Sequence, residues 1–492
     1  MKQLFISILL CAAITACSDN EYISNDPTAA PGAPAVYDVN DLKLTYRTFF
    51  KPAAGWVGDA MPFYENGTFH VFYLHDARDG GDTFHPIYGA TTTNFLSFQD
   101  NGEMIACGED NGREDALGTG SVFKEGDMYY FFYTAHNANL DPKEEIFYAT
   151  STDLKTWEKK GYAVNGWGDG YDRNDFRDPF IIKNADGTYT MLVTTRADYK
   201  GSWRAVLSQF TSDNLNGGWT RREPFYDSEA TMNLECPDVF VMGSYQYLIF
   251  SEQSDRRGVH YVYRPLGTTD WMVPADNFLD GYAYYAAKTA SDGTNRYLFG
   301  WTPTGEAASD YSNYSWAGAL VVHQIGQKAG GELTLSAPKT VNEAISNPIS
   351  SGTYTLKGGS KKAIEIFPRF EKEAVNKITA TIKAGSARRF GFEFGAGGSR
   401  KYVYDLVFDL DAGKLKLDYV VNGVAESTFT EVRLPAAVNG EYKVTIVVEN
   451  SVCVAYVNDE VALSNRIYAM TQNPWGIFAE DGEADFAVQL FK

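Results

Sequence analysis

Asp127-Met-Tyr-Tyr-Phe-Phe-Tyr-Thr-Ala-His136 decides the fold of this chain, because four other stretches read like it. They are Gly67-Thr-Phe-His-Val-Phe-Tyr-Leu-His-Asp76, Gly187-Thr-Tyr-Thr-Met-Leu-Val-Thr-Thr-Arg196, Ser244-Tyr-Gln-Tyr-Leu-Ile-Phe-Ser-Glu-Gln253 and Thr294-Asn-Arg-Tyr-Leu-Phe-Gly-Trp-Thr-Pro303. Each is an aromatic and aliphatic run entered through a Gly- or Asp-containing turn, the pattern of a β-strand. Successive starts lie 60, 60, 57 and 50 residues apart. A period of that size marks a radial or stacked repeat, in which equivalent positions of successive units gather about one axis.

Working outward, each unit adds further strands. Ser121-Val-Phe-Lys124 leads through a Glu-Gly-Asp turn into Met128 to Tyr133, and a third strand follows at Ile146-Phe-Tyr-Ala-Thr150. Comparable third strands begin at Ile87, Ala205, Val259 and Gly318. Hairpins in series at this period predict a five-bladed β-propeller over residues 40–328. Gly, Asn and Asp interrupt every candidate helical pattern there. Most of the repeated aromatics read as packing between blades. Residues 329–352, small, polar and turn-forming, read as a linker. Alternation then returns in Lys377-Ile-Thr-Ala-Thr-Ile-Lys383, Tyr402-Val-Tyr-Asp-Leu-Val-Phe408 and Tyr442-Lys-Val-Thr-Ile-Val-Val448, which predicts a β-sandwich over residues 353–492.

Composition agrees with an all-β chain of two domains: 492 residues, 15% of them aromatic. A net charge of −20 excludes nucleic acid and anionic lipid surfaces as partners, since both need a basic face. Lys2 precedes an apolar run from Leu4 to Ile14, too short to span a bilayer, so residues 1–17 read as an export signal. Ile14-Thr15-Ala16-Cys17 resembles the lipobox of bacterial lipoproteins, which implies lipid on Cys17, a polar tether over residues 18–39 and attachment to a bacterial envelope. The membrane is then a partner only through that anchor. Cys107, Cys236 and Cys453 are widely spaced, which indicates neither a disulfide framework nor a metal pair. The six histidines lack metal-ligand spacing, and no phosphate loop or dinucleotide fingerprint occurs, so no metal and no cofactor are expected.

Stepping back eight or nine residues from each repeat start lands on Asp59, Thr119, Asp178, Glu235 and Tyr285. Three carboxylates at one structural level suggest a catalytic cluster, and glycoside hydrolysis requires two of them. One carboxyl group protonates the leaving oxygen, while another attacks the anomeric carbon at about 5–5.5 Å or activates water at about 6.5–9.5 Å. Asp59 lies in Gly55-Trp-Val-Gly-Asp-Ala-Met-Pro62, where glycine permits close approach of a ligand and Trp56 offers a flat apolar face. Alone, an Asp after Gly is more often a turn or capping residue. Asp178 follows Arg177, which either keeps it ionised or simply pairs with it. Glu235 sits between apolar neighbours, the setting of a proton donor, or of a buried partner for Arg177. The shared offset favours chemistry for all three. His75 with Asp76 ends a strand near the expected mouth, within reach of substrate. Asp169-Gly-Tyr-Asp-Arg-Asn-Asp175 breaks the calcium-loop spacing and reads as a solvated loop.

These residues resemble glycoside hydrolase family 32, the invertases, inulinases and levanases. Arg177-Asp-Pro179 is similar to that family's stabilising-aspartate motif and Glu235-Cys236 to its acid/base motif; Leu117 to Val122, Asp280 to Ala286, Arg296 to Trp301, Val452 to Asp459 and Ser464 to Tyr468 are also similar. The resemblance implies a retaining hydrolase of β-fructosides, with Asp59 as nucleophile, Asp178 as transition-state stabiliser and Glu235 as acid/base. It further implies that Trp56, Ser121, Arg177, Tyr285 and Trp301 line the sugar site, and that the partner is an oligo- or polysaccharide. The departure is at the nucleophile: the family's Trp-Met-Asn-Asp-Pro is here Trp56-Val-Gly-Asp-Ala60, so the residue before the Asp is Gly58. Two other readings fit the residues: an inverting five-bladed enzyme acting on arabinan or xylan, and a carbohydrate-binding protein without catalysis.

Overall fold

The computed structural model describes residues 45–492 apart from 78–84, 167–169, 200, 229, 255, 306–313, 372–373, 397–399 and 468–472. The expected export signal, Cys17 and the tether lie outside the described residues. The described chain is nearly all-β. The first unit holds β1 (Trp56–Glu65), β2 (Thr68–Asp76), β3 (Ile87–Thr92) and β4 (Gln99–Ile105), and the second β5 (Ala116–Glu125), β6 (Met128–His136), β7 (Glu144–Ser151) and β8 (Glu158–Val164). The third holds β9 (Tyr171–Lys183), β10 (Tyr189–Tyr199), β11 (Ser202–Ser212) and β12 (Thr220–Asp227). The fourth has β13 (Leu234–Met242), β14 (Tyr245–Glu252) and β15 (Gly258–Pro265), and the fifth β16 (Tyr285–Ser291), β17 (Arg296–Gly305), β18 (Tyr314–Gln327) and β19 (Leu333–Ser336). Units two, three and four are separate antiparallel sheets. Units one and five share a sheet, because β1 pairs with β18 at Val57 and Gly318.

The five quoted stretches are the second strands of their units, and the strand before each is the one that meets its neighbours. β1 packs on β5, β5 on β9, β9 on β13, β13 on β16, and β16 returns to β1. The aromatic residues of the second strands fill the space between units. Phe72 meets Phe131 at 5.1 Å between ring centroids, and Phe132 joins Val193 and Phe210 in one cluster. Local sequence sets these hairpins: Asn66 (φ 48°) and Gly67 (φ 83°) adopt the left-handed pair that a two-residue turn between twisted strands needs.

The stretch read as a linker contains β19, which extends the fifth unit's sheet, and a short helix α1 (Lys339–Ala344). Beyond it lie β20 (Pro348–Gly358), β21 (Ala363–Phe367), β22 (Val375–Lys383), β23 (Arg389–Phe394), β24 (Tyr402–Asp409) and β25 (Lys414–Val421). They are followed by β26 (Val424–Arg433), β27 (Tyr442–Glu449), β28 (Val452–Val457), β29 (Val461–Arg466), β30 (Trp475–Glu480) and β31 (Gly482–Phe491). These form two six-stranded antiparallel sheets, ordered β20-β31-β22-β27-β28-β29 and β21-β30-β23-β24-β25-β26, and inward residues of both share one core. Alternation with period two produces that core, since every second side chain points at the facing sheet.

The two halves of the chain are joined by a common core as well as by polar contacts. One apolar cluster runs from Val57, Leu298 and Leu320 to Val452, Val454 and Tyr456. Within it, fully buried His323 contacts the Asp280 carboxylate at 3.0 Å and the Tyr456 hydroxyl at 2.9 Å, while the Ser464 backbone N–H donates to Asp280 at 2.8 Å. Each buried polar group in this set therefore finds a partner, as burial demands, and the Tyr456 and Ser464 contacts cross between the two halves of the chain. This contact fixes β18 and the neighbouring wall of the cavity described next.

Candidate active site

Every first strand is bulged at the same level. The pairing register slips between Gly58 and Met61 in β1, between Gly118 and Gly120 in β5, opposite Arg177 to Phe180 in β9, between Glu235 and Asp238 in β13, and between Tyr285 and Lys288 in β16. A bulge inserts an unpaired residue and re-aims the side chains around it. Asp59 (φ 29°), Asp178 (φ 59°), Cys236 (φ 54°) and Ala286 (φ 52°) consequently hold left-handed backbone, which non-glycine residues seldom adopt. Small residues are obligatory beside them: a Cβ on Gly120 would lie 1.9 Å from the Phe132 carbonyl oxygen.

The bulges deliver all five residues of the shared offset, Asp59, Thr119, Asp178, Glu235 and Tyr285, to one cavity of about 600 Å³. Arg177 and Trp301 line it too, as expected. A wider groove of about 880 Å³ adjoins at Arg257, but its acids are paired with cations of its own wall, Asp276 with Arg433 and Glu431 with Lys414. The smaller cavity is where carboxylates converge.

Each carboxylate has a distinct set of partners. Asp59 receives the Thr119 hydroxyl at 2.6 Å on Oδ2 and the Trp301 indole N–H at 3.1 Å on Oδ1. Burial pushes its carboxyl above the usual range; the hydrogen bond from Thr119 opposes this, and the charge of Glu235 adds to it. Asp178 accepts the Cys236 backbone N–H at 2.9 Å, and its own N–H donates to Thr134 Oγ1 at 3.0 Å. Burial raises Asp178 to about 7, with Arg177 pulling down and Glu235 and Asp59 pushing further up. Glu235 Oε1 receives Arg177 Nη2 at 2.9 Å, Arg177 Nε at 3.2 Å and Gln253 Nε2 at 2.9 Å. Its Oε2 receives the Tyr285 hydroxyl at 2.8 Å. Burial, and next the charge of Glu235, raise that phenol well above its ordinary value, so Tyr285 stays a donor.

Arg177 is itself aimed in part by Asp175, an acid of the stretch read above as a solvated loop. Asp172 and Asp175 lie on β9 instead, and both bind Arg196 at 2.6 Å. Asp175 also holds Arg177 Nη1 at 2.7 Å and the Asn233 side chain at 3.0 Å, while Glu144 reaches Arg177 at 3.3 Å. Within the described part of the acidic run, Asp175 brackets the guanidinium and Asp172 pairs with Arg196, both from β9 rather than from a loop. Its signal was the Arg at 196, one strand away.

Three expected contacts fall elsewhere. Trp56 does not line the cavity; it is buried, with Lys51 Nζ 5.3 Å and the Arg466 guanidinium 5.0 Å from its ring. Arg466 belongs to the C-terminal sheets, so the ring serves the junction between the two halves. Ser121 is also outside the lining and donates to the Pro179 carbonyl at 2.8 Å, tying β5 to β9 just behind Asp178. His75 bonds the Ala54 carbonyl at 2.8 Å and stacks on Tyr88 at 4.1 Å. Conversely, Met232, Gln253, Arg257, Tyr314, Ser315 and Trp316 line the cavity without having been singled out. All but Gln253, the last residue of the fourth repeated stretch, come from loops and from β18, which carry no repeated motif.

The pattern of the Glycosyl hydrolases family 32 N-terminal domain matches residues 49–334, and that of the C-terminal domain described as GH32, BT1760-like, matches residues 322–488. The chain is 25% identical over 465 residues to a sucrose-6-phosphate hydrolase of Escherichia coli, covering 88% of this chain and 91% of that protein. It is 26% identical over 460 residues to a raffinose invertase of Escherichia coli, with the same coverage of 88% and 91%. Among solved structures, an exo-inulinase from Aspergillus awamori superposes with a TM-score of 0.72 at 17% identity, over 91% of this chain and 98% of that one. A fructan 1-exohydrolase IIa from Cichorium intybus superposes with a TM-score of 0.72 at 14% identity, over 92% and 97%.

Proposed function

This chain belongs to glycoside hydrolase family 32 and is a β-fructoside hydrolase, and on that premise we propose that Asp59 and Glu235 carry its chemistry by a retaining double displacement. The observation behind the assignment is the convergence of Asp59, Asp178 and Glu235, each from a different unit, on one cavity. Asp59 attacks the anomeric carbon as Glu235 protonates the departing oxygen, and Glu235 then takes a proton from the water that releases the sugar. Thr119 and Trp301 hold the attacking carboxylate in place. Three donor contacts occupy Glu235 Oε1, so the transferable proton is assigned to Oε2, the oxygen facing Tyr285. Asp178, buried and held by the backbone of Cys236, grips ring hydroxyls as positive charge develops on the sugar.

The same reading assigns the ring of first strands to a five-bladed propeller over residues 40–328 and the paired six-stranded sheets to a β-sandwich over residues 353–492. The closed order of contacts among β1, β5, β9, β13 and β16 supports it. An oligo- or polysaccharide is the substrate, and lipid on Cys17 holds the enzyme to a bacterial envelope facing it. Retention is tested with levan, inulin and sucrose in the presence of methanol. The expected product beside fructose is the methyl β-fructoside, because methanol intercepts a covalent intermediate on the face that water uses. The α-anomer as the transfer product, or fructose with no transfer product at any methanol concentration, would reject Asp59 as nucleophile.

A further inference from the structure

Position 58 has no room for a side chain, and what fills the room is an aromatic ring of the cavity wall. A Cβ built on Gly58 would lie 2.4 Å from Cη2 and 2.5 Å from Cζ2 of Trp316, well inside van der Waals contact. Gly58 immediately precedes Asp59, and both Asp59 and Trp316 line the cavity. The juxtaposition is set by strand pairing: Val57 of β1 faces Gly318 of β18, which places Gly58 and Trp316 at the junction of the first and fifth units. Ala317, between Trp316 and Gly318, has left-handed backbone (φ 64°) that turns the indole out of the regular pleat. Two further rings fix it. His85 stacks at 5.1 Å with 24° between planes, and Trp301, whose N–H holds Asp59, meets it edge-on at 6.3 Å.

We propose that Trp316 is a specificity-determining wall of the sugar site, occupying the space beside Asp59 that a side chain at position 58 would otherwise fill. The inference rests on reading Asp59 as the nucleophile. An indole offers a broad, rigid apolar face and no acceptor, so it recognises the C–H face of a sugar ring by packing rather than its hydroxyls by hydrogen bonds. Gly58 is the complementary half of the device: any larger residue there must displace the ring. Sugar recognition next to the reacting carbon therefore depends on shape, and the ligand class it takes is an uncharged fructosyl chain whose ring lies flat against the indole. Trp316 acts by holding substrate, not by transferring protons.

The test is a double-mutant cycle in the full chain, using Gly58→Ala, Trp316→Ala and their combination, with Trp316→Phe as the conservative variant. Trp316→Ala is expected to raise KM on an oligofructoside by about tenfold or more while kcat moves by less than about threefold, and Trp316→Phe to recover most of the loss. Gly58→Ala is expected to lower kcat/KM by about a hundredfold in the native background but by less than about threefold once Trp316 is Ala. Equal losses from Gly58→Ala in both backgrounds, or an unchanged KM in Trp316→Ala, would overturn the proposal. Should Trp316→Ala unfold, the cycle is run with Trp316→Phe, where Gly58→Ala must again cost less than in the native protein. The binding constant of the oligofructoside, measured calorimetrically in an Asp59→Asn background, carries the same cycle without turnover. Loss of coupling there sinks the role of Trp316, whereas an active Asp59→Asn enzyme sinks the nucleophile assignment alone.

Discussion

Asp59→Asn is expected to lower kcat on a β-fructoside by about 10⁴-fold or more, the scale seen when a covalent nucleophile is removed, while the protein stays folded. An amide cannot form the glycosyl-enzyme, so the loss falls on the first step. The fold survives because the variant removes a desolvated carboxylate, and the Thr119 hydroxyl that donates to Oδ2 can turn to accept from the new amide. Glu235→Gln is the companion variant, with an expected loss of about 10²–10⁴-fold, typical of general acid–base catalysis. The two differ in their rescue. A fructoside whose leaving group departs without protonation should restore the first step to Glu235→Gln, and added azide should then accept the sugar from Asp59. Neither addition should help Asp59→Asn. Initial rates with such a substrate, with and without azide, decide the assignment; near-native turnover on an ordinary fructan in either variant rejects it.

Asp178→Asn is expected to move activity and stability in opposite directions. Loss of the charge that opposes the developing cation should lower kcat by about 10²-fold or more. The stability effect follows from where the native carboxyl titrates. Burial raises Asp178 to about 7, against an ordinary value near 3.8 that the unfolded chain regains. Between those limits the folded protein holds a proton that the unfolded chain has released, so native stability falls as pH climbs from about 4 to 7. Below about 4 both states are protonated and the site costs nothing; above about 7 the full cost is present. A neutral amide escapes that cost, and its oxygen can still accept from Cys236. The variant should therefore be more stable than the native chain by about 1–2 kcal/mol at pH 8 and nearly equal to it at pH 4. Thermal or urea unfolding of both proteins across that range measures it. A stability difference that stays constant, or grows as pH falls, would show that Asp178 is not the buried, disfavoured anion described here. Asp59, raised chiefly by burial as well, should show the same sign.

The offset of eight or nine positions before each repeated strand placed Asp59, Thr119, Asp178, Glu235 and Tyr285 in one cavity because it measures a strand plus a tight turn, a length set by local geometry. Arg177 was legible for the same reason, being the neighbour of Asp178. The bulges that aim these side chains were not, although four of them leave a non-glycine residue in left-handed backbone. Nothing in Phe176-Arg-Asp-Pro-Phe180 or Leu234-Glu-Cys-Pro237 advertises that conformation without the partner strand. Trp56 failed for a different reason. It stands three residues before Asp59, yet Arg466, over four hundred residues later, claims the ring.

Strand periodicity, turn chemistry and the spacing between units thus belong to the amino-acid sequence by itself, because each depends on interactions between residues close along the chain. They were enough to determine an all-β molecule and the level at which its acids meet. The pairing of β1 with β18, the bracket of acids around Arg177, the seat of Trp56 at the junction with the C-terminal sheets and the entry of Trp316 beside Asp59 were decided only by tertiary structure. Apart from the Asp175 contact with Arg177, made within β9, each of these joins strands distant in the chain, and packing between distant segments leaves no local periodicity to read.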